Sequence, residues 1–212
     1  MTYLADVVTL TRKDLLLELR ARDTLPAMAV FVVAALVVFH FALTGESGDS
    51  VGIGLLWVAI VFTALLGLSR AWVAEREQGV LDGLVLSPAD RSTIWIAKAL
   101  ASLAFLVLAE AIALPAYWVF FADLDAATVA GVLLADVGIC AVGAFVAAMS
   151  VATRARELLL PVLFLPLAIP VVVGGVGASV VDDPARYLAF LALYDGLFAT
   201  ICWASFEYVV TE

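Results

Sequence analysis

Six long apolar runs divide the chain, with polar intervals between them. They fall at about 26–43, 51–69, 99–121, 126–152, 158–181 and 187–208. A helix rising ~1.5 Å per residue needs ~20 residues to cross ~30 Å of hydrocarbon, and each run comes close to or exceeds that length. Strands of a membrane barrel would be about half as long and would alternate in polarity. The pattern therefore predicts an all-α, polytopic membrane protein with six transmembrane helices, forming a single membrane domain over residues 1–212.

The first 24 residues follow a different pattern. Leu4, Val7, Val8, Leu15 and Leu19 recur at helical spacing, with Arg12, Lys13, Asp14, Glu18 and Arg20 on other faces. Such a helix is too charged to span. It is expected to lie at the interface, with its apolar stripe in lipid and its cations among the head groups. Pro26 then marks the turn into the bilayer. Residues 1–23 lack a continuous apolar core, so no secretory signal is expected there.

Composition agrees with lipid as the solvent. The chain is 65% hydrophobic with mean hydropathy +1.13, whereas water-soluble domains run near ~45–50% apolar. Cys140 and Cys202 sit inside apolar runs with no metal spacing, and read as packing residues. The net charge of −9 argues against nucleic acid, whose phosphates need a basic face.

The charges also set an orientation. Arg12, Lys13, Arg20 and Arg22 precede the first run, Arg70, Arg76, Arg91 and Lys98 follow the second, and Arg154 and Arg156 follow the fourth. The other intervals carry Glu46 and Asp49, Asp123 and Asp125, and Asp182 and Asp183, with Arg186 their one cation. Short loops rich in Lys and Arg stay cytoplasmic. Both termini are therefore expected inside, in a cytoplasmic (plasma or inner) membrane.

Residues 70–98 form the one sizeable loop. Arg70 to Gln78 can extend span two, with Glu75, Arg76 and Glu77 at its polar end and Gly79 as breaker or C-cap. Val80, Leu81, Leu84, Val85 and Leu86 make an apolar stripe of about two turns. Ser87 as N-cap, Pro88 at the first position and Asp90 in the first turn restart a helix that runs through Trp95 and Lys98. An apolar two-turn helix facing water needs a cover. It lies back on the membrane, or it fills a groove on a soluble partner.

No chemistry of its own is visible. The chain has no G-x-x-x-x-G-K-[ST], so a P-loop is absent. It has one histidine and no H-E-x-x-H or Ser/His/Asp arrangement. A non-catalytic subunit is expected, so that any energy is borrowed from a separate ATPase, or none is used.

The string E-R-E-Q-G-V-L-D-G-L-V-L-S-P at 75–88, followed by Arg91 and Lys98, resembles the loop after span two in type-2 ABC exporter permeases. In that class the segment leads into the coupling helix that sits on the nucleotide-binding subunit. Span two, G-I-G-L-L-W-V-A-I-V-F-T-A-L-L-G-L, and span five, V-L-F-L-P-L-A-I-P-V-V-V, are similar to the ABC transporter permease of cytochrome c maturation, the haem exporter protein B family. The resemblance implies coupling to the ATPase through Glu75, Arg76, Glu77, Gly79, Leu81, Leu84, Val85, Pro88 and Arg91. It implies an ABC ATPase subunit and small, haem-handling membrane subunits as partners, two copies per complex, and haem as the transported or handled ligand rather than a bound cofactor. A permease for an unrelated substrate and a non-transporting scaffold are the alternatives.

Two further features carry open readings. Pro161, Pro166 and Pro170 occupy one span, where each removes a backbone donor and crowds the preceding turn. They should kink or partly unwind it, as a hinge or as a packing shape. Gly174, Gly175 and Gly177 then permit close helix approach or a break. Glu110, Asp136 and Asp195 lie near the midplane or in the outer leaflet with no Lys or Arg at similar depth. A lipid-facing charge there costs ~2.5–3.5 kcal/mol, so they should face protein or water, or stay protonated. They read as hydrogen-bonded structural acids, contacts to a partner's helices, or a translocation path or proton relay. His40, at the outer end of span one, is an interfacial polar residue or a haem ligand. Trp57, Trp72, Trp95, Trp118 and Trp203 mostly sit towards span ends, as interfacial anchors do.

Overall fold

The computed structural model describes residues 3–43, 48–73, 75, 79, 83, 90–121, 124–151 and 156–211. Its seven helices, among the described residues, are α1 (Tyr3–Ala21), α2 (Thr24–Ala42), α3 (Gly48–Arg70), α4 (Arg91–Phe121), α5 (Ala126–Val151), α6 (Arg156–Val180) and α7 (Ala185–Thr211). The last six are long and apolar enough to cross a membrane, and this is a multi-pass membrane protein.

Helix α5 is the hub and packs against α3, α4, α6 and α7. Two thirds of its span is buried inside the protein, against 17% for α2, so α2 lies at the edge of the bundle. Ala135, Ala144 and Cys140 of α5 are buried small residues that let its neighbours close in. Cys202 of α7 is likewise a buried free thiol.

Helix α1 docks on α4. Val7 and Asp14 are buried in that contact, while Leu4, Val8 and Leu19 are 74%, 65% and 51% exposed. An open apolar strip on an otherwise docked helix is the surface an interfacial helix gives to lipid. The α1–α2 elbow turns at Arg22, whose φ of 56° closes the left-handed C-terminal turn with its N–H bonded to the Glu18 carbonyl at 3.2 Å. Pro26 stands inside the first turn of α2, where its missing N–H leaves no bond unmade.

Three expectations need correction. The prolines of α6 do not unwind it, since Pro161, Pro166 and Pro170 lie within one continuous helix. The Tyr194 hydroxyl of α7 donates to the Leu167 carbonyl at 2.7 Å, giving α6 an external partner in the turn that Pro170 closes. The glycines beyond serve close approach, for a Cβ on Gly175 would meet the Trp57 ring at 2.2 Å. Trp57 itself is fully buried, and Trp72 and Trp95 are buried too, so only Trp118 and Trp203 remain as exposed anchors. Lastly, α4 begins at Arg91, where Asp90 caps it by accepting from the Ser92 N–H at 2.8 Å and the Ser92 hydroxyl at 2.6 Å. Ser87 and Pro88 lie outside the described residues.

Candidate functional site

The root of the long loop is held by a cluster of buried charges. Glu75 follows α3 and is 2% exposed. Lys98 of α4 donates to Glu75 Oε1 at 2.7 Å, to the Ala71 carbonyl at 2.6 Å and to Asp14 Oδ1 at 3.2 Å. Lys13 of α1 donates to the same Glu75 oxygen at 2.6 Å and lies 2.9 Å from Asp14. The Lys98 ammonium also stands 4.9 Å from the centre of the Trp72 ring. Two cations and two carboxylates thus cancel, and three segments distant in sequence meet at one point.

The local sequence explains the geometry. Asp14 shares the docked face of α1 with Val7, so it must be buried and needs cations. Lys98, two turns into α4, supplies one from the side, and the flexible stem of Lys13 curls back to supply the other. Burial alone would raise the Glu75 carboxyl, but the Lys98 charge and the hydrogen bonds from both lysines bring it down from 4.5 to about 2. Asp14 is pushed up, because its burial, with the nearby Glu75 charge, outweighs the pull of Lys98 and Lys13. Burial pulls Lys13 down, yet its bond to Glu75 and the Asp14 charge raise it overall. A cavity of about 40 Å³ adjoins the cluster, lined by Asp14, Glu75, Lys98 and Phe105. Glu75 Oε2 has no partner among the described residues, and the space has room for a water (~10–15 Å³ each).

Of the other loop residues, Gly79 has φ 64°, the left-handed conformation a C-terminal glycine adopts. Arg91 stands 3.6 Å from Glu207 of α7. Arg76, Glu77, Leu81, Leu84, Val85 and Pro88 lie outside the described residues. A larger groove of about 730 Å³ opens beside the elbow and reaches from Arg70 and Trp72 to Phe62, Ser150 and Pro161. The loop root and the first proline of α6 therefore border one void.

The intramembrane acids also converge. Glu110 of α4 and Asp136 of α5 are buried and face each other. Asp195 of α7 is near enough for its charge to interact with Asp136. Among the described residues no hydrogen-bond donor reaches either carboxyl of the first pair or Asp195 Oδ1. Two facing carboxyls can hydrogen-bond only if one keeps a proton. His40 lies apart, its ring 5.4 Å from Phe41 and Phe120 and 5.6 Å from Phe121.

Sequence reasoning found Glu75 but missed Lys13, Asp14 and Lys98 as its partners. The usable signal was an acid on the docked face of an amphipathic helix, which demands a cation nearby.

Similarity to known proteins covers nearly the whole length. Residues 5–206 match the family described as CcmB protein. The chain is 33% identical to heme exporter protein B of Paracoccus denitrificans over 174 residues, covering 78% of this chain and 80% of the relative. It is 31% identical to heme exporter protein B of Rhodobacter capsulatus, with 90% of each chain covered, and 32% identical to that of Pseudomonas aeruginosa, covering 70% of this chain and 69% of the relative. With that coverage, and with six apolar helices around a charge-bound loop root, the chain belongs to the CcmB protein family.

Proposed function

We propose that this chain is the membrane permease subunit of an ABC assembly in cytochrome c maturation, and that it couples a separate ATPase to haem export, haem delivery or release of a haem-loaded chaperone. It performs no hydrolysis itself. Both termini and the 70–98 loop face the cytoplasm, and two copies complete the permease core. The family supports the pathway, and the charge cluster supports the coupling. Glu75 is bonded to α1 and α4 at once, so a push on the loop by the ATPase reaches both helices and the end of α3 as one rigid-body displacement. The stripe at Leu81, Leu84 and Val85 is the docking element in this reading, with Arg76, Glu77 and Pro88 around it. Pro161, Pro166 and Pro170 make α6 the compliant partner, bordering the groove that opens at the loop root.

The test is affinity purification in mild detergent, with the copurifying chains identified and bound haem and ATP hydrolysis measured. An ATPase subunit and cytochrome maturation partners should copurify, and Glu75→Ala with Leu84→Ala should abolish ATPase association or ATP-dependent output. An ATPase without any maturation partner would overturn the pathway. Unchanged ATPase association and output in the double variant would overturn the coupling role and leave a scaffold. Replacing Pro166 and Pro170 by Ala should spare insertion and impair output.

A further inference from the structure

Helix α1 divides its cations into two groups. Lys13 turns inward to Glu75 and Asp14. Arg12 and Arg20 are exposed and pair with no carboxylate among the described residues. Thr9, Arg12, Lys13, Leu16, Leu17 and Arg20 succeed one another at steps of one or three residues and line a groove of about 430 Å³. That spacing places them on one flank of the helix. Among the described residues the lining of the groove contains no acid, although the chain as a whole carries −9. On the adjoining flank lie the exposed side chains of Leu4, Val8 and Leu19.

We propose that this groove is a binding site for an anionic phospholipid. Arg12 and Arg20 take the charged headgroup, and Leu16 with the neighbouring leucine strip takes the first methylenes of the acyl chains. Charge complementarity selects the occupant. A zwitterionic headgroup brings its own cation, which two unpaired guanidiniums repel, whereas a headgroup with net negative charge offers them a phosphate and nothing opposing. Continuity with the exposed leucines favours a lipid over an acidic protein segment, because an acidic segment would leave that strip uncovered. The site adds to the transport role and does not depend on the cargo.

The full chain, purified in detergent, is offered equal amounts of phosphatidylglycerol and phosphatidylcholine, and the retained lipid is counted by native mass spectrometry. Each basic residue near a surface contributes ~1 kcal/mol to anionic lipid binding before salt screening. Wild type should therefore retain phosphatidylglycerol over phosphatidylcholine by on the order of tenfold. Arg12→Gln with Arg20→Gln should lose that preference, Arg12→Lys with Arg20→Lys should keep most of it, and Arg186→Gln should leave it unchanged. Added inorganic phosphate at millimolar concentration should not displace the lipid. No preference in wild type, an unchanged preference in the double glutamine variant, or full displacement by free phosphate would each overturn the lipid site. So would loss of a copurifying acidic protein, with lipid retention intact, in that variant.

Discussion

The protein holds buried charge in two places and treats it in opposite ways. At the loop root, Asp14 and Glu75 are matched by Lys13 and Lys98, and Lys98 alone serves three acceptors. Within the bundle, Glu110, Asp136 and Asp195 gather with no cation among the described residues, and no described donor reaches the first two or Asp195 Oδ1. A matched cluster holds its elements in one arrangement, because losing any member strands the others. An unmatched one is stable only with protons on it, and so can change state by gaining or losing them. We propose that the matched region transmits force and that the unmatched one responds to protonation.

The largest expected effect breaks the matched side. Lys98→Ala leaves Glu75 and Asp14 buried with only Lys13 between them, and removal of one partner from a buried ion pair costs about 3–5 kcal/mol. Thermal or denaturant unfolding in detergent should show it, with Glu75→Ala close behind. A change below ~1 kcal/mol, the range of solvent-exposed pairs, would mean that water reaches the cluster freely, and the distinction between the regions would vanish.

A steric test on the acid side comes next. Gly138 of α5 packs against α7, where an added Cβ would lie 2.4 Å from Asp195 Oδ1 and 3.0 Å from the Tyr194 ring. Gly138→Ala should cost about 1–3 kcal/mol as an overpacking substitution. Combining it with Asp195→Ala should recover much of that loss if the carboxylate is what obstructs the methyl. No recovery would place the strain on Tyr194 instead.

Acid titration separates the two carboxylates of the matched cluster. Glu75 is held below its ordinary value, so the stability it contributes is full above about 4.5 and is lost as pH falls toward about 2. Asp14 is shifted the other way, so its ionised form is penalised and acidification relieves that penalty. Between neutral pH and about 5 the Glu75 contribution should therefore be flat. Glu75→Gln should flatten the loss below 4.5, and Asp14→Asn should leave that loss in place. Unfolding midpoints across this range, for wild type and both variants, decide it.

How much of this was legible depended on the kind of signal. Span positions were plain, because run length alone sets them, and each described helix falls within a few residues of its apolar run apart from the early start of α4. Which face of an all-apolar helix meets protein was not, because residues such as Trp57 have the same polarity as their lipid-facing neighbours. Periodicity is silent when every position is apolar, so Trp57 read as an anchor and turned out to be core. Glu75 stood out by its place in a motif. Its partners did not, since Lys13 and Asp14 looked like the solvated face of an amphipathic helix, and only the docking of α1 on α4 turns that face inward. The meeting of Glu110 with Asp136 was half visible, as two acids at similar depth on consecutive antiparallel spans.

The smallest effect on stability bears most directly on the unmatched acids. Glu110→Gln replaces one of two facing carboxyls with an amide, which can donate to Asp136 without any proton being held between them. The amide N–H takes the place of the retained carboxyl proton as donor, and a hydrogen bond is worth about 1 kcal/mol net, so the variant should stay within about 1 kcal/mol of wild type. If the pair serves only as packing, output should be unaffected. If the pair must take up and release a proton, the amide fixes it in one state, and ATP-dependent output should fall by roughly 10²–10⁴-fold, the usual loss when a positioned proton-transfer group is removed, while stability holds. Asp136→Asn should behave in the same way, because either member of the pair can carry the shared proton. Measuring unfolding and output on the same preparations separates the readings: stability and output both retained indicates a structural pair, and output lost alone indicates one whose protonation changes during the cycle.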